Sequence, residues 1–91
     1  MYSADVLGDQ GSTVQLTFRV PLGVDASSIH CEWSHDGNTI AIDNSKYILL
    51  GSRGLEIRNI VGADEGTYTC SYDYHQQQLT ETVACVNVIG M

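Results

Sequence analysis

Apolar and polar residues alternate along several short segments of the chain. Residues 14–20 alternate over seven positions, and residues 55–60 repeat the pattern. A period of two is typical of a β-strand that buries one face and exposes the other. No segment shows a convincing helical period of apolar residues. The pattern therefore predicts an all-β protein.

Turn-forming residues separate these segments from others of similar length. Asp36-Gly37 lies between two apolar runs and predicts a tight hairpin, because both residues tolerate the positive φ angles that such a turn needs. The predicted strands cover approximately residues 2–7, 14–20, 29–34, 39–42, 46–50, 55–60, 67–74 and 79–89. About eight short strands in 91 residues predict a single domain, residues 1–91, built as a two-sheet antiparallel sandwich.

The charge of the chain narrows the class of partner. Four basic and 11 acidic residues give a net charge of -7. Such a surface repels phosphate backbones and anionic lipids, so nucleic-acid binding and membrane attachment are disfavoured. No apolar run approaches the roughly 18–20 residues that cross a bilayer, so direct membrane insertion is not expected. The charge suits a soluble domain or a protein partner with a basic patch.

A set of spaced residues carries the fold prediction further. Trp33 is followed by Leu55-x-Ile57 and then by a run in which Asp64, Gly66, Tyr68 and Cys70 alternate with other residues. With this set the chain resembles the immunoglobulin superfamily over nearly its whole length. The resemblance implies a Greek-key sandwich. Only 22 residues separate Trp33 from Leu55, which leaves room for C′ and D strands but hardly for C″, so an I-set or shortened V-set-like form is expected.

The resemblance also implies a task for each residue of the motif. Tyr68 would turn its hydroxyl back to the corner backbone, and Gly66 would permit the tight bend. Asp64 would accept hydrogen bonds from the backbone or from Lys46. Trp33 would fill the core against Cys70. The predicted structural core consists of Phe18, Trp33, Leu55, Ile57, Asp64, Gly66, Tyr68 and Cys70.

The cysteines depart from the family pattern. Phe18 occupies the B-strand position of the usual cysteine, so the usual B–F disulfide is lacking. Cys31 shares the inward face of Trp33 and lies diagonal to Cys70, at an expected distance of about 7–8 Å, longer than comfortable disulfide geometry. Three interpretations stay open: buried free thiols, a non-standard bridge with Cys31–Cys70 as the first choice, and an intermolecular bridge through Cys85. Cys85 faces outward if its neighbours face inward.

Neither catalysis nor a cofactor is indicated by the sequence. His30, His35 and His75 lack the spacing of a zinc site and are expected on exposed loops or faces. Cys70 is expected under Trp33, where it is a poor nucleophile. We therefore expect no metal, no cofactor and no enzymatic activity.

The resemblance implies that the domain binds another protein, which includes the same protein on an apposed cell. The leading hypothesis is an extracellular recognition module of a cell-surface adhesion or immune-type receptor, and the missing B–F bridge favours an invertebrate adhesion or allorecognition receptor. A solvated sheet face without a partner is the alternative interpretation of its outward residues. The candidate binding face consists of Glu32, Ser34, Thr69, Ser71, Asp73, His75 and Gln77.

The runner-up hypothesis is a structural domain of an intracellular sarcomeric giant protein. Such a domain folds in the reducing cytoplasm without a disulfide. Phe18 in place of a cysteine fits this alternative, whereas the acidity and the three cysteines do not decide between the two hypotheses.

Overall fold

The computed structural model describes residues 4–90, with the side chain of Ala4 left out. Two short 3-10 turns, Ala26–Ser28 and Gly62–Asp64, accompany the strands. The strands in chain order are β1 Ala4–Asp9, β2 Val14–Thr17, β3 Glu32–His35, β4 Asn38–Thr39, β5 Tyr47–Leu50, β6 Gly54–Ile57, β7 Gly66–Tyr74 and β8 Gln77–Ile89. The predicted first strand begins at residue 2, which lies outside the described residues, and β1 continues to Asp9.

The strands form two sheets, which confirms the predicted all-β sandwich. Five strands pair in the order β1-β8-β7-β3-β4, and three pair in the order β2-β6-β5. Every pairing is antiparallel except that of β1 with β8, which is parallel. The chain passes from β4 in one sheet to β5 in the other, and residues 40–46 between them form no strand.

The core lies between the sheets and follows from the alternation of the strands. Val14, Leu16 and Phe18 are buried, whereas Gln15 and Thr17 between them are exposed. One cluster surrounds Trp33 and the other surrounds Phe18. The first includes Trp33, Leu55, Ile57, Ile60, Tyr68 and Val86, and the second includes Phe18, Ile29, Cys70 and Tyr72. Burial of each large apolar side chain contributes about 1.5–3 kcal/mol.

Some strands are shorter than the alternation predicts. β2 ends at Thr17, although the N–H of Phe18 still donates to the carbonyl of Arg53 in the register of the β2–β6 pairing. β3 begins only at Glu32, since a 3-10 turn precedes it, where the side chain of Asp25 accepts from the Ser27 N–H. β6 ends at Ile57, and the positive φ of 51° at Asn59 then turns the chain.

Candidate functional site

A buried carboxylate organises the corner before β7. Asp64 is 4% exposed, and its carboxylate accepts from Lys46 Nζ at 2.6 Å and from the backbone N–H of Val61 at 2.8 Å. The Tyr68 hydroxyl donates to the carbonyl of Asp64 at 2.7 Å. Burial and the Asp64 charge both raise the pKa of Tyr68, so its hydroxyl stays a donor. The corner is therefore held by side chains from three parts of the chain.

His35 lies in the same corner, which corrects the expectation that all three histidines are exposed. Its side chain is 19% exposed and stacks on Tyr68 with ring centroids 4.4 Å apart. Its Nε2 lies 2.7 Å from the carbonyl oxygen of Glu65. A side chain at Gly66 would collide with His35 and with the Asp36 carboxylate. These contacts and the φ of 140° at Gly66 together explain the glycine at this position.

The structure places a disulfide between Cys31 and Cys70, with Cα atoms 5.1 Å apart. The expected diagonal distance of about 7–8 Å is wrong. Cys31 precedes β3, and its N–H donates to the carbonyl of Ser52 at 2.8 Å. Because Cys31 lies outside the ladder of β3 with β7, its backbone can move towards Cys70.

The bridge joins the residue before β3 to β7, and the side chain of Phe18 fills the B-strand position by packing. Phe18 is 3% exposed and its ring centroid lies 5.2 Å from that of Tyr72. Cys85 is a free thiol of intermediate exposure, and its Sγ lies 3.5 Å from Thr67 Oγ1. Ala84 and Val86 beside it are buried, so Cys85 faces outward.

Most of the candidate binding face lies on one side of the five-stranded sheet. Glu32 pairs with Ser71, and Ser34 pairs with Thr69, so these side chains point the same way. Asp73 follows on the same side of β7. β8 contributes three polar residues that the sequence analysis missed, because its register depends on the hairpin turn. We call outer face the surface formed by Glu32, Ser34, Thr69, Ser71, Asp73, Gln78, Thr80 and Thr82.

Two residues of the candidate binding face lie elsewhere. Gln77 pairs with Tyr74 and therefore points to the side opposite Asp73, whereas Gln78 pairs with Asp73 and belongs to the outer face. His75 occupies the turn with a φ of 51°, and its ring lies 4.0 Å from that of Tyr74. Recognition of a two-residue turn at residues 75–76 would have given this register.

The charges are divided unequally between the two sheets. No Lys or Arg occurs in any of the eight strands, and the five strands of the larger sheet contain five carboxylates. The basic residues flank the strands of the three-stranded sheet instead. The carboxylates are Asp5, Asp9, Glu32, Asp73 and Glu81, and the basic residues are Arg19, Lys46, Arg53 and Arg58. Of these carboxylates, Glu32 and Asp73 lie on the outer face, which contains no basic residue.

A groove opens where the two sheets meet beside β4 and β5. Its volume is about 410 Å³. The lining includes Cys31, Glu32, Trp33, Ile40, Ile42 and Leu49. Within residues 4–90, no cluster of three potential ligands could hold a metal ion. The described part of the chain contains no helix long and apolar enough to cross a membrane.

The chain matches no protein-family model and no curated protein sequence, but it is similar to solved structures. Sidekick-1 immunoglobulin domains 1–4 give a TM-score of 0.80 at 18% identity, over 96% of this chain and 23% of that one. The N-terminal Ig1-2 module of Drosophila receptor protein tyrosine phosphatase DLAR gives a TM-score of 0.77 at 19% identity, over 94% of this chain and 42% of that one. Titin domain M7 gives a TM-score of 0.73 at 19% identity, over 93% of this chain and 85% of that one.

These similarities show the fold. The protein is an immunoglobulin-fold domain, as the Trp33 and Asp64–Cys70 pattern predicts. The chain spans about a quarter of the Sidekick-1 structure and less than half of the DLAR module. The similar structures come both from a receptor and from titin, so they do not decide between the two functional hypotheses.

Proposed function

We propose that residues 1–91 form a single recognition domain of a cell-surface adhesion or immune-type receptor, and that the domain binds a partner protein through its outer face. The charge of this face carries the proposal. Glu32 and Asp73 are exposed, and no Lys or Arg lies on any strand of their sheet. Electrostatic complementarity favours a partner with a basic surface and raises its association rate.

The polar character of the outer face sets the kind of interface. Ser34, Thr69 and Ser71 are half-buried between longer neighbours, and Ser71 Oγ lies 2.9 Å from Thr80 Oγ1. Short hydroxyl side chains lose little entropy when a partner orders them. A contact made of hydroxyls and carboxylates resembles polar, transient interfaces, so we expect a modest affinity from this surface.

The Cys31–Cys70 bridge supports an extracellular location. Disulfides persist in secreted proteins and are rare in the reducing cytoplasm. Within cell-surface receptors, the substitution of Phe18 for the usual cysteine and the shifted bridge favour an invertebrate adhesion or allorecognition receptor.

The test uses oligomers of the domain, which raise weak binding to a measurable level. Fluorescent oligomers are applied to cells that express the parent receptor and to neighbouring cells of the same tissue. We expect binding to the cell surface that falls at least about tenfold in the double variant Glu32→Lys/Asp73→Lys, because opposite charges become like charges at the contact.

The matched control is Arg19→Glu, which reverses an exposed charge after β2, next to the other sheet. It should leave binding within about twofold. Equal loss in the control and the double variant would contradict the outer face as the site. Absence of binding to any of these cells would contradict the recognition role.

A structural domain of an intracellular sarcomeric protein is the second candidate. The similarity to titin M7, which this chain matches over 85% of that structure, favours it, as does Phe18. A thiol count under denaturing, non-reducing conditions distinguishes the two candidates. For protein isolated from its natural source, the extracellular role predicts one free thiol, Cys85, and the intracellular role predicts three.

A further inference from the structure

The groove exists because the chain changes sheets without forming a strand. β4 ends at Thr39 and β5 begins at Tyr47. These two strands are edge strands of their sheets, and both contribute to the surroundings of the groove. Nothing in residues 40–46 closes the space between the sheets as a further strand would. The opening of about 410 Å³ is large enough for a side chain of another protein.

Apolar side chains that water reaches form the walls of the groove. Ile42 and Leu49 line it and keep 36% and 46% of their surface exposed. Ile40 and the buried Trp33 extend the apolar lining. Exposed apolar surface that is concentrated in a concave site gains free energy when a partner removes it from water.

Three polar residues, His30, Glu32 and Thr39, lie in the groove lining, and Glu32 is the acidic one. Trp33 Nε1 has no hydrogen-bond partner among the described residues, although the side chain is only 2% exposed. Glu32 lies in the lining and is exposed. Glu32 also belongs to the outer face, so the groove borders the outer face at this residue. A cation beside Glu32 meets no Lys or Arg from the strands of that sheet.

We propose that the groove receives an aliphatic side chain of the partner protein, and that a Lys or Arg adjacent in the partner pairs with Glu32. This inference rests on the function proposed above, because it supplies the apolar anchor that the polar outer face lacks. Burial of a leucine-sized side chain contributes roughly tenfold or more in affinity. The exposed ion pair adds about twofold to fivefold.

The test follows the indole N–H of Trp33 by NMR. Trp33 is the single tryptophan of the chain, so one signal reports on the groove. The probes are acetyl-Lys-Leu-Lys-amide, acetyl-Lys-Ser-Lys-amide and acetyl-Glu-Leu-Glu-amide. We expect the first to shift the signal saturably, the second to bind about tenfold more weakly, and the third to bind about twofold to fivefold more weakly.

Variants locate the two contributions. Leu49→Ser removes one apolar wall and should lower the affinity for acetyl-Lys-Leu-Lys-amide about fivefold to tenfold. Leu22→Ser is the matched control, because Leu22 is 103% exposed and does not line the groove. Glu32→Gln should abolish the preference for the Lys-containing probe over the Glu-containing probe. Urea unfolding checks that each variant is folded, and Ile42→Ser provides a second wall variant.

Several outcomes would overturn the proposal. The first is a Trp33 signal that does not shift saturably with acetyl-Lys-Leu-Lys-amide. The second is an equal loss of affinity for this probe in Leu22→Ser and Leu49→Ser. The third is a Glu32→Gln variant that still prefers the Lys-containing probe over the Glu-containing probe. Asp73→Lys separates this inference from the proposed function, since Asp73 lies on the outer face but outside the groove lining. If Asp73→Lys loses cell binding but the wild-type domain binds none of the peptide probes, the groove proposal is refuted and the proposed function stands. If the wild-type domain binds the probe but Asp73→Lys keeps its cell binding, the outer face is refuted as the binding site and the groove proposal stands.

Discussion

Asp64 and Lys46 form an ion pair whose two members differ in their access to water. The Asp64 side chain is 6% exposed, whereas that of Lys46 is 27% exposed. A lysine without its partner can turn towards solvent, but the carboxylate stays buried. Removal of the lysine therefore leaves an uncompensated buried charge, which is the costly way to break such a pair.

We expect Lys46→Met to lower the free energy of unfolding by about 3 kcal/mol. Asp64→Asn should cost only about 1–2 kcal/mol, because an amide oxygen can still accept from Val61 and the lysine is solvated. Urea unfolding at neutral pH measures both variants. The opposite order of the two losses would contradict the asymmetry in solvent access.

Tyr72 makes the stability of the folded state depend on pH in the alkaline range. Its hydroxyl donates to Glu81 Oε2 at 2.6 Å, and this hydrogen bond, with burial, raises the pKa of Tyr72 to about 12 from an ordinary value of 10.0. The folded state therefore holds the phenolic proton more tightly than the unfolded state. The resulting stabilisation is complete below about pH 10 and is lost as the pH rises through about 12.

Tyr72→Phe should make unfolding less dependent on pH between about 10 and 12. It should also cost about 1–2 kcal/mol at neutral pH, because the hydrogen bond to Glu81 is lost while the ring still packs against Phe18. Part of the pH dependence will persist, since burial also raises the pKa values of Tyr47 and Tyr68. Urea midpoints across this pH range provide the measurement. A variant with the slope of the wild type would exclude Tyr72 as a contributor.

At the scale of elements, the Cys31–Cys70 bridge fastens the segment before β3 to β7. Cys70 lies on β7 and Cys31 directly precedes β3, which pairs with β7, and the two cysteines are 39 residues apart in the chain. The cohesion between the two sheets therefore comes from packing around Trp33 and Phe18. Loss of the bridge should weaken the fold without separating the sheets.

The double variant Cys31→Ala/Cys70→Ala should unfold cooperatively, with a free energy of unfolding about 2–4 kcal/mol below that of the wild type. Its urea m-value should increase, because the unfolded chain is no longer cross-linked. Cys85→Ser is the control and should change stability by no more than about 0.5 kcal/mol. A gradual transition in the double variant would show that the bridge holds the sheets together.

The alternation of apolar and polar residues predicted which segments form strands better than it predicted where the strands begin and end. The alternation of residues 14–20 and the spacing from Trp33 to Cys70 depend on burial, which acts on every second residue of a strand. The start of β3 and the side on which Gln77 lies depend on a 3-10 turn and a two-residue hairpin. These local turns shift the register, and one residue of shift moves a side chain to the other face.

Contacts between distant segments were harder to predict than single strands. The burial of His35 against Tyr68 requires β3 and β7 to bring the two rings together. The groove depends on the absence of a strand in residues 40–46, which polar and apolar pattern alone does not show. The sequence predicted Asp73 and Glu32 on one face, because both alternate with inward residues that surround Cys70.

At the scale of the whole molecule, the strands of the five-stranded sheet contain no basic residue, and all four basic residues flank the strands of the other sheet. The separation gives the molecule a charge asymmetry in addition to its net charge of -7. A basic partner is oriented by this field before contact. Two copies of the domain that approach with their outer faces meet only like charges.

We therefore expect the isolated domain to be monomeric at micromolar concentration in about 0.01 M salt, where the screening length is about 30 Å. Repulsion between outer faces should weaken as salt increases to about 0.15 M, where that length is about 8 Å. Sedimentation equilibrium at both salt concentrations gives the association constant and the non-ideality. The neutral variant Glu32→Gln/Asp73→Asn should show less repulsion at low salt. A wild-type dimer that becomes tighter as salt is removed would contradict the charge argument and favour homophilic binding.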